Sequence, residues 1–389
     1  MPALPSELIR QIVEDIVDDV NDPVYFRHLS VVSLTSRLLR HEAQRLLFRD
    51  SGELYTASAS RGKTILFLDA VLSSSERLAL FVNRFSITFD DFFNPTSDET
   101  TALIRQLGNA LEAMRNLTFL DVVQRTAGLH SLPSILQDTH FKLTSFRWSG
   151  YSNGVAEVID LKTDFLRRQD NIDHLQMLGF VDQSTLKSIS ADILPRLRSL
   201  SAPYPLTEIL LPGRDITSLQ WSTPLDNPAT PYQSSLVLGF PFHPGTLSKE
   251  LGRIRYLSYD PIDTTVPVGP DIRRIAPHLT RLICLETCRD IIKHVEALSQ
   301  IPHLEILVLN ADGSRSRMPK RRDMTKVATA CESLEHIDIE DNHGKLLRFY
   351  YDYSSKTHLF DTIDESQWYA WINDHDNPWI NDYDSSDEE

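Results

Sequence analysis

Residues 8–20 place apolar side chains at Leu8, Ile9, Ile12, Val13, Ile16, Val17 and Val20, the i, i+1, i+4, i+5 spacing of one amphipathic helix. Pro5 suits its first turn, where a missing amide proton costs nothing, and Glu7 suits the positive end of the helix dipole. Asn21-Asp22-Pro23 then breaks the pattern. A second helical stretch carries Tyr25, Phe26, Leu29 and Val32, and a third runs over residues 36–48 with Leu39, Ala43, Leu46, Leu47 and Phe48. Three short helices in about 50 residues bury little surface by themselves. The first has two apolar stripes, Leu8/Ile12/Ile16 and Ile9/Val13/Val17, one more than a single internal contact needs, so one stripe is expected to meet another protein.

Further along, the pattern changes to L-x-x-L-x-L. Runs of this form are Leu117-Leu120-Val122, Leu143-Phe146-Trp148, Ile172-Leu175-Met177, Leu197-Leu200-Ala202, Ile216-Leu219-Trp221, Ile254-Leu257-Tyr259, Leu279-Leu282-Cys284, Leu304-Leu307-Leu309 and Leu334-Ile337-Ile339, with Phe85-Ile87 and Leu236-Leu238 as weaker versions. From residue 85 to residue 337 the middle position recurs at a mean spacing of about 25 residues, a leucine-rich-repeat length. Alternate residues of a short strand share a face, so the last two apolar positions of each run point inward together. A unit this small cannot bury its own apolar side, which requires stacking. The expected fold class is an α/β solenoid: a short three-helix module, then an irregular leucine-rich-repeat-like horseshoe of parallel strands. Eleven strands at about 4.8 Å would line a concave face on the order of 50 Å long. Helical or irregular returns are expected around residues 100–114, 156–168, 290–299 and 323–330.

The N-terminal residues resemble a known family. Leu4-Pro5-x-Glu7-Leu8-x-x-x-Ile12-x-x-x-Ile16, then Ser33-Leu34-Thr35-Ser36-Arg37-x-Leu39-Arg40 and the ending Ala43-Gln44-Arg45-Leu46-Leu47-Phe48-Arg49, are similar to an F-box over residues 4–49. With the repeats, the chain resembles a fungal-type F-box protein with a degenerate leucine-rich-repeat domain. The resemblance implies a non-catalytic substrate receptor that docks the Skp-type adaptor, and through it the cullin, of an SCF ubiquitin ligase. By position, Leu4, Pro5, Leu8 and Ile12 would supply contacts of the first helix, and Leu34, Ser36 and Arg37 would lie in the second contact region. Thr35 stands where the family usually has Val, and Leu39 replaces the usual aromatic. The repeat surface would hold an unidentified protein target through the residues between the inward pairs, which include Asp121, Arg147, Gln176, Ser201, Gln220, Ser258 and Asp338. The implied organisation is 1–50 helical module, 51–345 repeat domain, 346–372 C-terminal cap and 373–389 acidic disordered tail. Residues 346–353, with Leu359 and Phe360, would add capping strands, and Trp368 and Trp371 a short helix over them.

Composition bounds this picture. The 389 residues carry 54 acidic and 39 basic side chains, a formal charge of −15, and 41% are hydrophobic, enough for a large core. Residues 361–389 hold ten acids and no Lys or Arg, so the rest carries 44 acids against 39 bases, an excess of 5. Nucleic acid is an unexpected partner on the mixed polar row and the lack of an aromatic-basic motif, more than on net charge. Three cysteines, Cys284, Cys288 and Cys331, are too few for a disulfide framework and read as buried thiols of a reducing compartment. The opening residues lack a basic stretch followed by an apolar run, so the expectation is a cytoplasmic or nuclear protein that meets no membrane. Arg315, Arg317, Lys320, Arg321 and Arg322 read as a solvated loop, with nuclear import as the sharper reading. Ser385 and Ser386 beside the terminal acids are candidate phosphorylation sites.

Signals for catalysis are sparse. Residues 57–64, ASASRGKT, fit a loose P-loop pattern, but Asp50-Ser51-Gly52-Glu53 is polar where a buried strand should precede it, and only Gly62 offers permissive backbone. His41-Glu42-Ala43-Gln44-Arg45 lacks the second histidine of a zinc-protease helix. Although His278 and His294 flank Cys284 and Cys288, zinc would need a fourth ligand at suitable spacing, and buried structural cysteines are the expected reading. No cofactor, metal or catalytic residue is expected. The rival classes are a repeat-based scaffold without a ligase role and a nucleotide binder at residues 57–64.

Overall fold

The computed structural model describes residues 5–15, 24–57, 59–89, 98–124, 133–136, 138–150, 165–178, 189–190, 192–222, 244–260, 269–310, 318–340, 345–352 and 357–363. Leu4, Ile16, Val17, the Leu236-Leu238 run, Arg315, Arg317, Trp368, Trp371, the tail over 373–389 and most of the expected return at 156–168 lie outside these residues. The chain divides into two compact units, Met1–Ile172 and Asp173–Glu389.

The first unit opens with helices α1 (Ser6–Asp15), α2 (Val24–Thr35) and α3 (Arg37–Leu47). Ser36 ends α2 and begins α3: its extended backbone turns the chain, and its side-chain oxygen accepts from the Leu39 amide at 3.1 Å, satisfying one of the open donors of the new helix. Val13, Leu29, Ala43 and Leu46 form the buried centre of the three helices, with Val32, Leu39 and Leu47 packed against it. Four strands follow: β1 (Asp50–Tyr55), β2 (Arg84–Phe89), β3 (Phe119–Gln124) and β4 (Ser145–Gly150), each parallel to its predecessor. Between them run α4 (Arg61–Ser73) and α5 (Asp98–Ala113), the latter burying Leu103, Ile104, Leu107 and Leu111 along one stripe.

The second unit contains β5 (His174–Leu178), β6 (Ser199–Pro203), β7 (Ser218–Ser222), β8 (Tyr256–Asp260), β9 (Cys284–Cys288), β10 (Ile306–Asn310) and β11 (His336–Glu340), again in chain order and parallel. Leu175, Leu200, Leu219, Leu257, Leu285, Leu307 and Ile337 occupy one register row, and all are fully buried. β12 (Leu346–Asp352) and β13 (Thr357–Ile363) then continue antiparallel. This is an α/β solenoid.

Each turn of the stack begins alike. Two successive amides at the start of a strand both donate to one carbonyl of the turn before: Thr118 and Phe119 to Asn83, Thr217 and Ser218 to Arg198, Ile283 and Cys284 to Arg255, Glu305 and Ile306 to Ile283. The entrances of β2–β4 and β6–β11 are paired in this way, and the Thr118 and Thr144 hydroxyls add to it at two of them. Elsewhere individual residues do that work. Buried Gln169 bridges the Leu143 amide and the Phe141 carbonyl, and Arg214, 2% exposed, donates to the carbonyls of Ser190, Ile193, Leu210 and Pro212.

Three sequence expectations need correction. The run at Leu279-Leu282-Cys284 is displaced by three residues, because Leu257 pairs with Leu285 and the true triplet is Leu282-Leu285-Thr287. Leucines at both spacings made the wrong phase fit equally well. Residues 50–53, set aside as too polar for a strand, form the start of β1, an edge strand paired on one side only, where polar side chains face water. Arg321 and Arg322 are the first turn of the helix Arg321–Ala330, not loop. The return over 290–299 needs none: it is a 3-10 segment, Arg289–His294, followed by a single helical turn, Val295–Leu298.

Candidate functional site

The residues singled out from the sequence lie on two surfaces. On α1, Ile9 is 3% exposed and Val13 fully buried, whereas Leu8 and Ile12 are 46% and 42% exposed. The two stripes thus have different fates: one enters the helical core and the other faces out. Phe26, Val31 and Leu34 on α2 and Leu38 on α3 are also exposed, Leu34 at 77%. Six of the eight large apolar side chains exposed among the described residues therefore belong to α1–α3. Water-facing apolar groups are thus concentrated within 31 residues of one module.

Pro5 is exposed, and its carbonyl accepts from the Ile9 amide at 3.2 Å as the first turn of α1. Arg37 is exposed at the start of α3. Ser36 is also exposed, but its hydroxyl is committed to capping α3. The frame holding these residues is polar at its rim: Arg45 of α3 pairs with Glu14 of α1 at 2.6 Å and Glu42 at 2.8 Å, and Arg40 donates to the Ser33 carbonyl at 3.0 Å. The Arg45 guanidinium beside Glu14 holds that carboxyl below its usual range.

The second surface is the strand face opposite the leucine row. In the first unit, Glu53, Ser86, Asp121 and Arg147 occupy one register row, and in the second, Gln176, Ser201, Gln220, Ser258, Glu286, Val308, Asp338 and Arg348. All seven sequence-predicted positions fall on these rows, but Asp121, Gln176, Ser201, Ser258 and Asp338 are buried. Ser86, Arg147, Gln220, Glu286 and Arg348 are partly exposed, and Glu53 is exposed. Glu286 was missed because of the three-residue phase error; counting from Leu285 and Thr287 as the inward pair would have found it.

Carboxylates on the rows meet different neighbours. Asp121 Oδ1 lies 3.8 Å from Arg147 Nε, and buried Asp338 receives both forks of Arg348, at 2.7 and 2.8 Å. His336 Nε2 stands 3.5 Å from Asp338. Glu286 instead accepts from two neutral groups on the flanking strands, the Tyr256 hydroxyl and, at 2.8 Å, the Asn310 amide. Cys284 and Cys288 on β9 and Cys331 are buried. Burial, with the charges of Glu286 and Asp338 adding to it, pushes the Cys284 thiol well above its ordinary range, and burial pushes Cys331 up to about 11.

At residues 57–64 the chain runs strand, turn, helix, and four of its amides and one hydroxyl are bonded within the chain. The Ser60 and Arg61 amides donate to the Ala57 carbonyl, those of Lys63 and Thr64 to Ser60, and the Thr64 hydroxyl to Tyr55 at 2.7 Å. No helix among the described residues is long and apolar enough to cross a membrane.

No family model matches the chain, and no curated protein matches it in sequence. Among solved structures it is similar to the leucine-rich repeat-containing protein LegL7 from Legionella pneumophila, at 14% identity and a TM-score of 0.41 over 76% of this chain and 84% of that one. It is also similar to a chain of the yeast Rad7 and Elc1 complex, at 12% identity and a TM-score of 0.43 over 87% of this chain and 89% of that one.

Proposed function

We propose that the protein is a non-catalytic substrate receptor of an SCF-type ubiquitin ligase, of the F-box and leucine-rich-repeat kind found in fungi. Helices α1–α3 dock an Skp-type adaptor, and through it the cullin; the strand face of the solenoid holds the target. The reading rests on one observation above all: α1 spends Ile9 and Val13 on its own core and presents Leu8 and Ile12 to water, beside exposed Leu34. Burying such side chains against a partner is worth roughly 1.5–3 kcal/mol each, enough for a few to sustain a specific complex. The receptor needs no reactive side chain of its own. Ubiquitin transfer gains from the raised effective concentration and orientation of a tethered target.

The test is capture of the full chain by purified Skp-type adaptor. Leu8→Asp combined with Ile12→Asp is expected to abolish capture while leaving the circular dichroism and thermal midpoint unchanged, because neither side chain enters the core. Leu34→Asp, on a different helix, is expected to weaken it separately. Capture indifferent to all three substitutions would sink the docking model and leave a repeat-based scaffold as the better reading.

A further inference from the structure

Glu286 is the anomaly of the strand row. It sits at the middle of β9, partly buried, between Ser258 and Val308, which are 2% and 1% exposed. Both of its oxygens are held, Oε2 by the Tyr256 hydroxyl and Oε1 by the Asn310 amide, so its position and direction are set from both sides. Of the other row carboxylates, Asp121 and Asp338 each have an arginine on the next strand, and Glu53 lies exposed on the edge strand β1. Among the described residues no cation lies within ion-pair distance of Glu286. Neutral donors orient a carboxylate but do not cancel its charge, and a charge hemmed in by buried neighbours gains more from a counter-ion than one in open water. The chain's own terminus is not a source of that cation, since residues 361–389 contain no Lys or Arg.

We propose that Glu286 is a specificity anchor of the target-binding face, seating one lysine or arginine side chain from a segment of the target protein. The proposal rests on the reading of the strand face as the target surface, and adds the chemistry that face selects. Tyr256 and Asn310 act as positioning residues: each fixes one oxygen while the outward lone pairs stay available for a bidentate guanidinium or an ammonium. Neighbouring Gln220, partly exposed, supplies a neutral hydrogen-bonding group along the same row. The target is therefore a basic segment, recognised at one position by charge and elsewhere by shape and neutral hydrogen bonds.

Selection of a random heptapeptide display library on the full-length protein tests this. Glu286→Gln keeps the size of the side chain, with its oxygen accepting from the Asn310 amide and its NH2 donating to the Tyr256 hydroxyl, and an unchanged thermal midpoint would verify the fold. Peptides enriched on the wild type are expected to share Lys or Arg at one fixed position. Their binding should fall at least about tenfold on E286Q. Glu286→Lys should select Asp or Glu at that position. Enriched peptides without a basic position, or an identical profile on E286Q, would overturn the assignment of Glu286 alone. No enriched peptide on any variant would also overturn the strand face as a target surface. Neither result depends on the adaptor, whose capture the Glu286 variants should leave intact.

Discussion

Asp338 and Arg348 show how one side-chain pair can secure the place where the sheet changes direction. Asp338 has no solvent exposure and Arg348 has 15%, and they join β11, the last parallel strand, to antiparallel β12. Arg348→Met leaves a buried carboxylate uncompensated and is expected to cost about 3–5 kcal/mol in urea denaturation. Adding Asp338→Leu should recover most of that loss; single and double variants of equal stability would contradict the pairing argument. Cys331 offers a second residue-level test. The unfolded thiol ionises near 9.0 and the folded one near about 11, so between those values the unfolded chain loses its proton first. Its contribution is complete below about pH 9 and is lost as pH rises toward 11, a decline in thermal midpoint that Cys331→Ala should remove. Native Cys331 and Cys284 should also be inert to thiol reagents at neutral pH, since neither thiolate is populated.

Among the elements, α1 is the one whose sequence and fate correspond most directly. Its two stripes were readable from spacing, yet spacing assigns neither to the interior. The packing of α3 decides it, through the buried set Val13, Leu29, Ala43 and Leu46. Val13→Asp should therefore unfold the helical module and show lost helicity in circular dichroism, whereas the Leu8→Asp and Ile12→Asp changes one residue away should not. The β1–α4 connection shows the opposite relation. A pattern that looked like phosphate chemistry becomes a turn whose amides and threonine hydroxyl serve the backbone, because a short link from edge strand to helix has unpaired groups of its own to satisfy. Ser36 belongs to both accounts, since it lies in the resembling motif and also caps α3.

At the scale of the molecule, each turn of a solenoid contacts only its neighbours, so damage should stay local. Leu285→Asp, in the middle of the buried row of the second unit, is expected to strip hydrogen-exchange protection from β8, β9 and β10 while β2 and β3 keep theirs. Loss of protection across both units at once would mean a cooperativity that nearest-neighbour stacking does not provide.

The apolar triplets and their spacing of about 25 residues were sufficient for the stacked parallel strands, because the leucine row must face a common interior whatever the returns do. Phase was harder, since Leu279, Leu282 and Leu285 allow more than one triplet, and only pairing with Leu257 selects among them. The partnering of polar groups was not legible at all. Whether a carboxylate meets an arginine, as Asp338 does, or two neutral donors, as Glu286 does, depends on residues brought in from other strands tens of positions away. The sequence alone thus determined the repeat, the helical module and its spare apolar stripe, because periodicity is a local property of the chain. Only the tertiary structure decided which stripe is buried and which neighbours each carboxylate meets, because burial and electrostatic pairing are set by neighbours in space.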